Sequence, residues 1–549
     1  MNTIKRFVCC LSDARGVKKF LLLFAAALLF SLPFVTKNLF SDSFVENMGL
    51  GVFGWIGLVP LFLNVFDFEK TLKRVLCSLF CFFWLFYFFV YSWFINLYPL
   101  DFAGLGNLES VGVIVIAETV IPLLHGFLMT FCVFIGYVAA RGVKNNYLRA
   151  VLVSFGYVLG EYVQSLGTFA FPWARLFVGQ TENVYLLQSA SLFGSYFITF
   201  VMVLVNALAA FSLMSPRKSR EKRRMYAFVA AGVFALNALF GVVRVNTFDC
   251  TKCKSLNAVV LQGNIPSGQK WSGEVDEKEV YLNLADWAKS YRMAKDFDAD
   301  IAVMPETAFP TTIYPYDGYD SPSEEALMQI SKKLDAVLFA GAFNKQDGNS
   351  YNSIFVYDSG GSISEPYNKY NIVPFGEFLP YRSILEKVVP SLAEINMLSS
   401  DLARGNTFTP TETPAGSAAC LVCFDSIFPE TARRQIKNGG EFIVISTNDS
   451  WYKTSSAIYQ HADHAVMRAI ENNVPVIRSA NTGISRIIDN FGRVREETKV
   501  NERTAISASV FLPDSSTLYT KTGDVFVLLC AVGIVTALLV GISKKKASH

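Results

Sequence analysis

The sequence predicts a polytopic α-helical membrane bundle joined to a separate α/β sheet domain. Its 549 residues are too many for one ordinary core. Hydrophobic residues make up 52% of the chain, 48 residues are Phe, and 17% are charged. This balance is too apolar for a soluble protein and too charged for membrane spans throughout. Apolar stretches fill the first half, whereas short strand-like and helix-like patterns alternate in the second.

Eight apolar stretches predict eight membrane spans, seven in the first half and one near the C-terminus. Most are long enough to cross about 30 Å of hydrocarbon as a helix. The first and shortest could instead be a signal-peptide core, but it contains Pro33 and more spans follow, so we expect it to be retained. The stretches cover approximately residues 20–35, 48–66, 75–96, 111–138, 150–166, 186–214, 226–244 and 524–542.

The charge of the connecting loops alternates along the chain. Lys and Arg cluster at residues 5–19, 70–74, 141–149, 217–224 and 544–546, and the intervening loops are nearly free of them. This positive-inside pattern predicts that both termini are cytoplasmic. We therefore expect a membrane domain at residues 1–245, an extracytoplasmic domain at 246–515, and a final helix with a basic cytoplasmic tail at 516–549.

Three ionisable residues fall inside predicted spans: Glu118, His125 and Glu161. Such groups normally face the bundle interior or a wet cavity. Hydrogen bonding between helices is the favoured interpretation, ahead of a direct functional role. Nearby, Trp173 and Arg175 follow the fifth span at a predicted outer helix end, where we expect them to act as ordinary interface anchors.

Residues 246–515 alternate between β-rich runs and amphipathic helical patterns, which predicts one α/β sheet domain. The predicted helices are about 276–295, 324–334, 429–438 and 457–472. The predicted strands are Ala258–Gln262, Ile301–Met304, Ala336–Ala342, Ser353–Tyr357, Ala418–Phe424, Phe442–Ser446, Val476–Ser479 and Ala505–Val510.

Several of these strands deliver chemically useful residues into turns. Glu306 follows one strand and Cys423 lies near the end of another, and the carboxyl ends of strands are where α/β sheets keep their sites. Between them lies Lys369, in the run Tyr-Asn-Lys. A thiol attacks only as thiolate, so it needs a base or a nearby positive charge. Glu306 can take the proton, and Lys369 can stabilise both the thiolate and a tetrahedral oxyanion.

Histidine offers the main alternative base, because Cys–His pairs are common. The chain has four His residues. His125 lies in a span and His549 ends the chain, so His461 is the rival base. His461 and His464 could also begin a metal site, and Cys250 and Cys253 form a CxxC, but the sequence suggests no further ligands. We expect neither a metal nor another cofactor.

The ordered motifs together resemble a known family. Pro-Glu-Thr at Glu306, Tyr-Asn-Lys at Lys369 with Val-Pro-Phe-Gly-Glu ending at Glu377, and Cys-Phe-Asp at Cys423 are similar to the carbon–nitrogen hydrolase (nitrilase) superfamily. Seven spans before this domain and one after narrow the resemblance to the apolipoprotein N-acyltransferase family. Further matches are Phe171–Pro172–Trp173, Gln262–Pro266 with Trp271, Asn448–Trp451, and Gln460–His461.

This resemblance implies a four-layer αββα sandwich and a Glu–Lys–Cys triad. Glu306 then corresponds to the general base, Lys369 to the oxyanion-stabilising lysine and Cys423 to the nucleophile. The supporting residues are Glu377, Trp271 near the active-site mouth, Trp451, and the pair Phe424–Asp425 in place of the family's more common Tyr-Glu.

The reaction implied by the resemblance is the last step of lipoprotein maturation. Cys423 would take an acyl chain from a phospholipid as a thioester. The α-amine of the S-diacylglyceryl cysteine of an apolipoprotein would then accept that chain. The implied location is the bacterial inner membrane, with the catalytic domain periplasmic and the enzyme monomeric. Apolar stretches between residues 378 and 398 would then be mobile arms at a lipid entrance, or else plain core packing.

Two other functions remain open from the residues alone. The chain could be a membrane-tethered amidase or hydrolase of the same superfamily, with water as the acceptor. It could also be a non-catalytic membrane scaffold or sensor, although retention of all three triad residues argues against that. Nucleic acid is not an expected partner, because net charge is only +3 and no basic stripe interleaves with aromatic residues.

Overall fold

A computed structural model describes residues 14–37, 50–66, 68, 70–100, 104–216, 218–248, 253–293, 295–313, 322–388 and 400–546. The predicted arms between 378 and 398 lie partly outside these ranges, as does Cys250. The helices of the first half are α1 (Ala14–Val35), α2 (Val52–Ile56), α3 (Val59–Val65), α4 (Leu72–Val90), α5 (Asn107–Arg141), α6 (Asn146–Val163), α7 (Ala190–Phe193), α8 (Ser195–Met214) and α9 (Arg220–Thr247).

Six helices in the described ranges are long and apolar enough to cross a membrane. The predicted count of eight spans is therefore not confirmed. The stretch 48–66 is divided between α2 and α3, and α6, which contains Arg149 and Glu161, is outside the set. The six segments are Val17–Val35, Leu72–Leu97, Asn107–Arg141, Ser195–Met214, Arg220–Thr247 and Val525–Lys544.

Helix α6 nevertheless packs inside the bundle, where its backbone crosses α5 closely. A Cβ atom at Gly136 would lie 2.5 Å from the carbonyl oxygen of Leu152, and one at Gly156 would lie 2.6 Å from that of Cys132. Only glycine permits such an approach, which is how small residues join helices in membranes.

The second half forms two β-sheets with helices outside them. Its helices are α10 (Ser267–Ser272), α11 (Glu277–Met293), α12 (Pro322–Leu334), α13 (Arg382–Val388), α14 (Pro429–Lys437) and α15 (Ser456–Asn472), followed by α16 (Leu518–Thr522) and α17 (Val525–Lys546). Its strands are β1 (Lys254–Gln262), β2 (Ile301–Val303), β3 (Thr312–Ile313), β4 (Val337–Gln346), β5 (Asn349–Asp358), β6 (Gly361–Ser362), β7 (Tyr367–Asn368), β8 (Thr411–Thr413), β9 (Gly416–Val422), β10 (Phe442–Thr447), β11 (Val476–Ala480), β12 (Arg486–Ile488), β13 (Val494–Glu497) and β14 (Thr504–Leu512).

The first sheet has the strand order β14-β1-β2-β4-β5-β6, with β3 beside β4 and β7 beside β5. The second has the order β13-β12-β11-β10-β9-β8. Strands β1, β2 and β4 run parallel, as do β9, β10 and β11. The two parallel cores therefore present carboxyl strand ends, where each sheet can contribute a side chain to one site.

Three apolar clusters hold these layers together. One lies between the sheets and contains Val260, Val303, Val422 and Val444. A second packs the first sheet against α11 and α12. The third packs the second sheet against α14 and α15 and continues without a break into the membrane helices. The predicted four-layer αββα order is present, and one of its outer layers is itself covered by the membrane part.

Candidate active site

Glu306 lies just beyond β2 in a tight turn. Its backbone passes close to β4, where a Cβ atom on Gly341 would lie 2.6 Å from the Cα atom of Glu306. The next residue, Thr307, has a left-handed φ of 46°. The buried carboxylate accepts hydrogen bonds from the Asn352 side-chain amide at 2.6 Å and from the backbone N–H of Asn448 at 2.7 Å. Both sheets thus hold this carboxylate in place.

Lys369 follows the short strand β7, and its side chain is fully buried. Its ammonium donates to Glu377 Oε1 at 2.9 Å and approaches Glu306 Oε1 at 3.5 Å. Burial alone would lower the pKa of Lys369, but the charges of Glu377 and Glu306 outweigh it and raise that pKa above its ordinary value. The lysine therefore remains a cation inside the site.

Cys423 sits at the end of the second sheet's strand β9. The sequence predicts that this strand extends to Phe424, and that end of the prediction is wrong. Strand β9 ends at Val422, and a 3₁₀ turn begins at Cys423, whose φ is 47°. A left-handed conformation is costly for a residue with a Cβ and is typical of functional turns. Burial and the charge of Glu306 raise the pKa of the thiol, whereas Lys369 and a hydrogen bond with Thr447 oppose that rise.

Glu377 belongs to the same cluster. Its Oε1 accepts hydrogen bonds from Lys369 and, at 2.8 Å, from Asn352, while its Oε2 accepts the Val373 N–H at 2.8 Å. Asn352 therefore bridges Glu306 and Glu377. The structure brings together Glu306, Lys369, Glu377 and Cys423, which are four of the residues that the sequence predicts.

The pair after Cys423 connects the thiol's turn to its surroundings. Asp425 is buried and accepts hydrogen bonds from the Asn371 N–H at 2.7 Å and the Tyr367 hydroxyl at 3.0 Å. These two residues flank Lys369 in the chain, so Asp425 ties the cysteine turn to the lysine segment. Phe424 points the other way, and its ring stacks on Phe171 of the membrane part at 6.0 Å.

His461, the rival base, uses its ring nitrogens elsewhere. Its Nδ1 lies 2.8 Å from Asp449, and its Nε2 lies 3.2 Å from both the carbonyl oxygen of Cys423 and the Ser426 hydroxyl. The ring nitrogens of His461 therefore contact Asp449, the Ser426 hydroxyl and the Cys423 carbonyl oxygen rather than the Cys423 thiol. Arg478 and His461 hold the pKa of Asp449 below its usual range despite its burial.

The two predicted tryptophans lie at the edge of the cluster. Trp271 is 43% exposed on α10, with its ring centroid 6.1 Å from that of Phe343. Trp451 is partly buried in the 3₁₀ segment Asp449–Tyr452, next to Asn448, which binds Glu306. Trp271 lies outside the hydrogen bonds that join Glu306, Lys369 and Glu377.

Two residues of the site were missed from the sequence. Asn352 could have been noticed as a polar residue in an otherwise apolar strand. Lys270 gave no such signal, yet its buried ammonium donates to Thr307 Oγ1 at 2.7 Å and to the Glu306 carbonyl oxygen at 3.2 Å. Burial lowers the pKa of Lys270 to about 8. Within the described ranges, no group of three or more His, Cys, Asp or Glu could hold a metal ion.

The segment after the fifth predicted span forms the floor beneath the site. The prediction that Trp173 and Arg175 are interface anchors is wrong, because both are buried. Trp173 Nε1 donates to Gln460 of α15 at 2.7 Å, and Arg175 lies 3.4 Å from Glu161 and over the Tyr196 ring. These residues join the membrane part to the sheet domain.

The ionisable residues of the predicted spans have different surroundings. Glu161 accepts hydrogen bonds from Thr199 at 2.6 Å and the Leu176 N–H at 3.0 Å, as the structural interpretation expects. His125 bonds the hydroxyl of Tyr91 at 2.8 Å. The buried carboxylate oxygens of Glu118 make no hydrogen bond to any described residue.

Known proteins resemble both halves of the chain. The model for the apolipoprotein N-acyltransferase N-terminal domain matches residues 26–208, and the carbon-nitrogen hydrolase model matches residues 264–517. A protein of Bradyrhizobium diazoefficiens named apolipoprotein N-acyltransferase is 30% identical over 429 residues, covering 76% of this chain and 77% of that protein. The chain belongs to the apolipoprotein N-acyltransferase family. A Geobacter metallireducens protein of the same name is 29% identical over 79% of this chain and 82% of its own length.

Among solved structures, a carbon-nitrogen hydrolase from Helicobacter pylori G27 is similar with a TM-score of 0.35 and 18% identity. It covers 47% of this chain and 90% of its own.

Proposed function

We propose that this chain transfers an acyl chain from a phospholipid to the α-amine of the S-diacylglyceryl cysteine that begins an apolipoprotein. The acyl chain is carried as a thioester on Cys423. The observation that carries the proposal is a buried Glu306–Lys369–Glu377 cluster that acts electrostatically on a thiol in a left-handed turn. Membership of the N-acyltransferase family supports the same chemistry.

In the first half-reaction, Glu306 takes the proton of the Cys423 thiol. The thiolate then attacks the ester carbonyl of the phospholipid, forming a C–S bond and a tetrahedral oxyanion. The Lys369 cation, held charged by Glu377, stabilises that oxyanion. Collapse of the intermediate breaks the ester C–O bond, and protonated Glu306 returns its proton to the departing lysophospholipid.

In the second half-reaction, the lipoprotein amine attacks the thioester. Glu306 takes a proton from the attacking nitrogen, a C–N bond forms, and the C–S bond breaks. The Cys423 thiolate then recovers a proton from Glu306, so the cycle returns to its start. The buried thiol suits this step, because water that entered would hydrolyse the thioester.

The proposal includes an orientation in the membrane. Residues 246–515 lie on the periplasmic side of the bacterial inner membrane, and both termini are cytoplasmic, with the enzyme acting as a monomer. The alternating Lys and Arg content of the loops supports this orientation. The contact of Phe424 with Phe171 supports a site that opens beside the membrane, where both lipid substrates reside.

The test is a product assay on the purified full-length chain in phospholipid nanodiscs. A diacylglyceryl lipopeptide is added and the products are weighed, with an amine-blocked lipopeptide as control. We expect equal amounts of N-acylated peptide and lysophospholipid. With the blocked peptide we expect no N-acylated product and no more than one lysophospholipid per enzyme molecule. Free fatty acid without N-acylated peptide would support the hydrolase instead, and no turnover would support the scaffold.

A further inference from the structure

A cavity of about 880 Å³ lies where the membrane part, the sheet domain and the final helix meet. It does not include Cys423, Glu306 or Lys369 in its walls, but it reaches the residues beside two of them. Phe424 follows the cysteine and Tyr370 follows the lysine, and both line the cavity. Its other walls come from residues 165–168 after α6 and from residues 522–524 before α17.

Two solvent-exposed arginines line the cavity on the sheet-domain side. The Arg404 guanidinium lies 4.5 Å from the Tyr370 ring centroid, and its Nε donates to the Tyr370 carbonyl oxygen at 2.6 Å. The Arg434 guanidinium lies 3.8 Å from the Phe408 ring centroid. Neither arginine forms an ion pair with any residue that the structure describes.

The two aromatic rings contact each other, which links the arginines into one unit. The Tyr370 and Phe408 centroids are 4.6 Å apart, so the order is Arg404, Tyr370, Phe408, Arg434. Stacking fixes the planes of both guanidinium groups and leaves edge N–H donors available. Planar, pre-organised donors of this kind suit the oxygens of a phosphate.

The remaining charges of the cavity do not cancel this pair. Glu430 is engaged by Arg433 through two contacts of 2.7 Å. Asp524 also lines the cavity, where its carboxylate accepts a hydrogen bond from the Tyr519 hydroxyl at 3.4 Å and interacts with the charges of Arg175 and Arg433. Arg404 and Arg434 are thus the charges left available to a ligand, and the ligand they favour is an anion.

The rim of the cavity is apolar on its membrane side. Leu166 is 52% exposed, and the half-exposed Phe169 ring stacks on Phe375 at 6.2 Å and lies tilted against Tyr381 at 6.0 Å. A cationic pair beside an exposed aromatic cluster matches a molecule with a phosphate at one end and hydrocarbon at the other.

We propose that Arg404 and Arg434 bind the phosphate of the glycerophospholipid that donates the acyl chain. The donor role rests on the proposed function, whereas the binding of a lipid phosphate does not. The acceptor, a diacylglyceryl peptide, carries no phosphate. The pair therefore distinguishes donor from acceptor, which a two-step transfer through one thiol requires.

The kinetic test compares a phospholipid donor with diacylglycerol bearing the same acyl chains, in neutral detergent with the full-length protein. We expect the Arg404→Gln, Arg434→Gln double variant to lower the kcat/KM ratio of phospholipid to diacylglycerol by about tenfold or more, through a higher KM for phospholipid. The double Lys variant should fall between, because it keeps the charge but loses the planar donors. Lys437→Gln, one turn along α14, removes a positive charge outside the cavity and should leave the ratio as it is.

A binding test separates this inference from the proposed function. Native mass spectrometry measures how much phospholipid, relative to diacylglycerol, stays on the wild type and on the double Gln variant. Loss of the phospholipid preference in the variant supports the site even if the wild type shows no turnover. An unchanged preference in binding and in kcat/KM would overturn it. Binding of millimolar inorganic phosphate to the pair without any binding of phospholipid would show that the pair recognises free phosphate rather than a lipid headgroup, and would also overturn it.

Discussion

Helices α11 and α15 are equally long, at 17 residues each, and both look amphipathic in the sequence. In α11 the buried residues form one face, including Tyr281, Leu284 and Ala288, and Trp287 on the other side is half exposed. In α15 every residue except Tyr459 is buried. The two helices cover opposite sheets of the same sandwich, and only α15 also lies against the membrane part.

The contact of α15 with the membrane part contains paired polar groups as well as apolar residues. Asp463 lies 2.5 Å from Lys37 and 2.9 Å from Arg486, and Glu471 accepts the Ser195 N–H at 2.9 Å. A helical period therefore locates the face that packs on a sheet, but it does not reveal whether the polar face meets water or another domain. The membrane part holds the thiol-bearing sheet through this polar face.

The largest expected effect is found by comparing one substitution on α15 with one on α11. Asp463→Ala removes the carboxylate that the buried cations Lys37 and Arg486 share. Glu182 still pairs with Lys37 and Glu497 with Arg486, so the loss should destabilise the protein by roughly 1.5–3 kcal/mol. Asp286→Ala on α11 removes only the exposed pair with Lys333, worth about 0–1 kcal/mol. Thermal unfolding of both variants in detergent measures the difference. Equal midpoints would mean that the polar face of α15 does not secure the two domains.

A smaller effect comes from two buried lysines whose pKa values are shifted in opposite directions. For Lys37, Asp463 and Glu182 outweigh burial and raise the pKa, whereas burial lowers the pKa of Lys270 from 10.5 to about 8. When the pKa of a lysine is lower in the folded than in the unfolded protein, the free energy of unfolding is highest above the unfolded pKa. It then decreases as the pH falls from the unfolded pKa toward the folded pKa. Wild type should therefore lose on the order of 1 kcal/mol more stability than Lys270→Met between pH 9 and pH 7.

The same thermal scans at several pH values test this second prediction, with the wild-type minus Lys270→Met difference isolating one group. A difference that stays constant from pH 7 to pH 9 would contradict it. Because Lys270 bonds the turn of Glu306, the variant also shows whether that buried cation positions the carboxylate. If it does, kcat falls in Lys270→Met under conditions where the variant is fully folded.

The sheet domain was largely predictable because its strands follow local patterns of apolar residues. Alternating apolar runs located β1, β4, β5, β10, β11 and β14, and strand ends pointed to Glu306 and Cys423. The membrane part was less predictable, since hydropathy alone did not anticipate that the stretch 48–66 divides between α2 and α3 or that the stretch 186–214 divides at Gly194 between α7 and α8. Glycine turns inside apolar runs interrupt helices without changing hydropathy.

The parts of the site that were missed depend on contacts distant in sequence. Asn352 bridges Glu306 and Glu377, and Trp173 reaches Gln460 across 287 residues. No local pattern encodes such pairs. Asp425 illustrates the same limit: the motif marked its position, but its bonds to Tyr367 and Asn371 show that it links the cysteine and lysine segments.

The central claim is that Cys423 carries the acyl chain, and the chain contains its own control three residues away. Cys420 is buried in β9, where burial raises the pKa of its thiol to about 12. The full-length protein is incubated with phospholipid without acceptor, and its peptides are weighed. We predict one acyl group on Cys423 in wild type and in Cys420→Ala, and none in Cys423→Ala. An acyl group on Cys420, or N-acylated product formed by Cys423→Ala at the wild-type rate, would contradict the account.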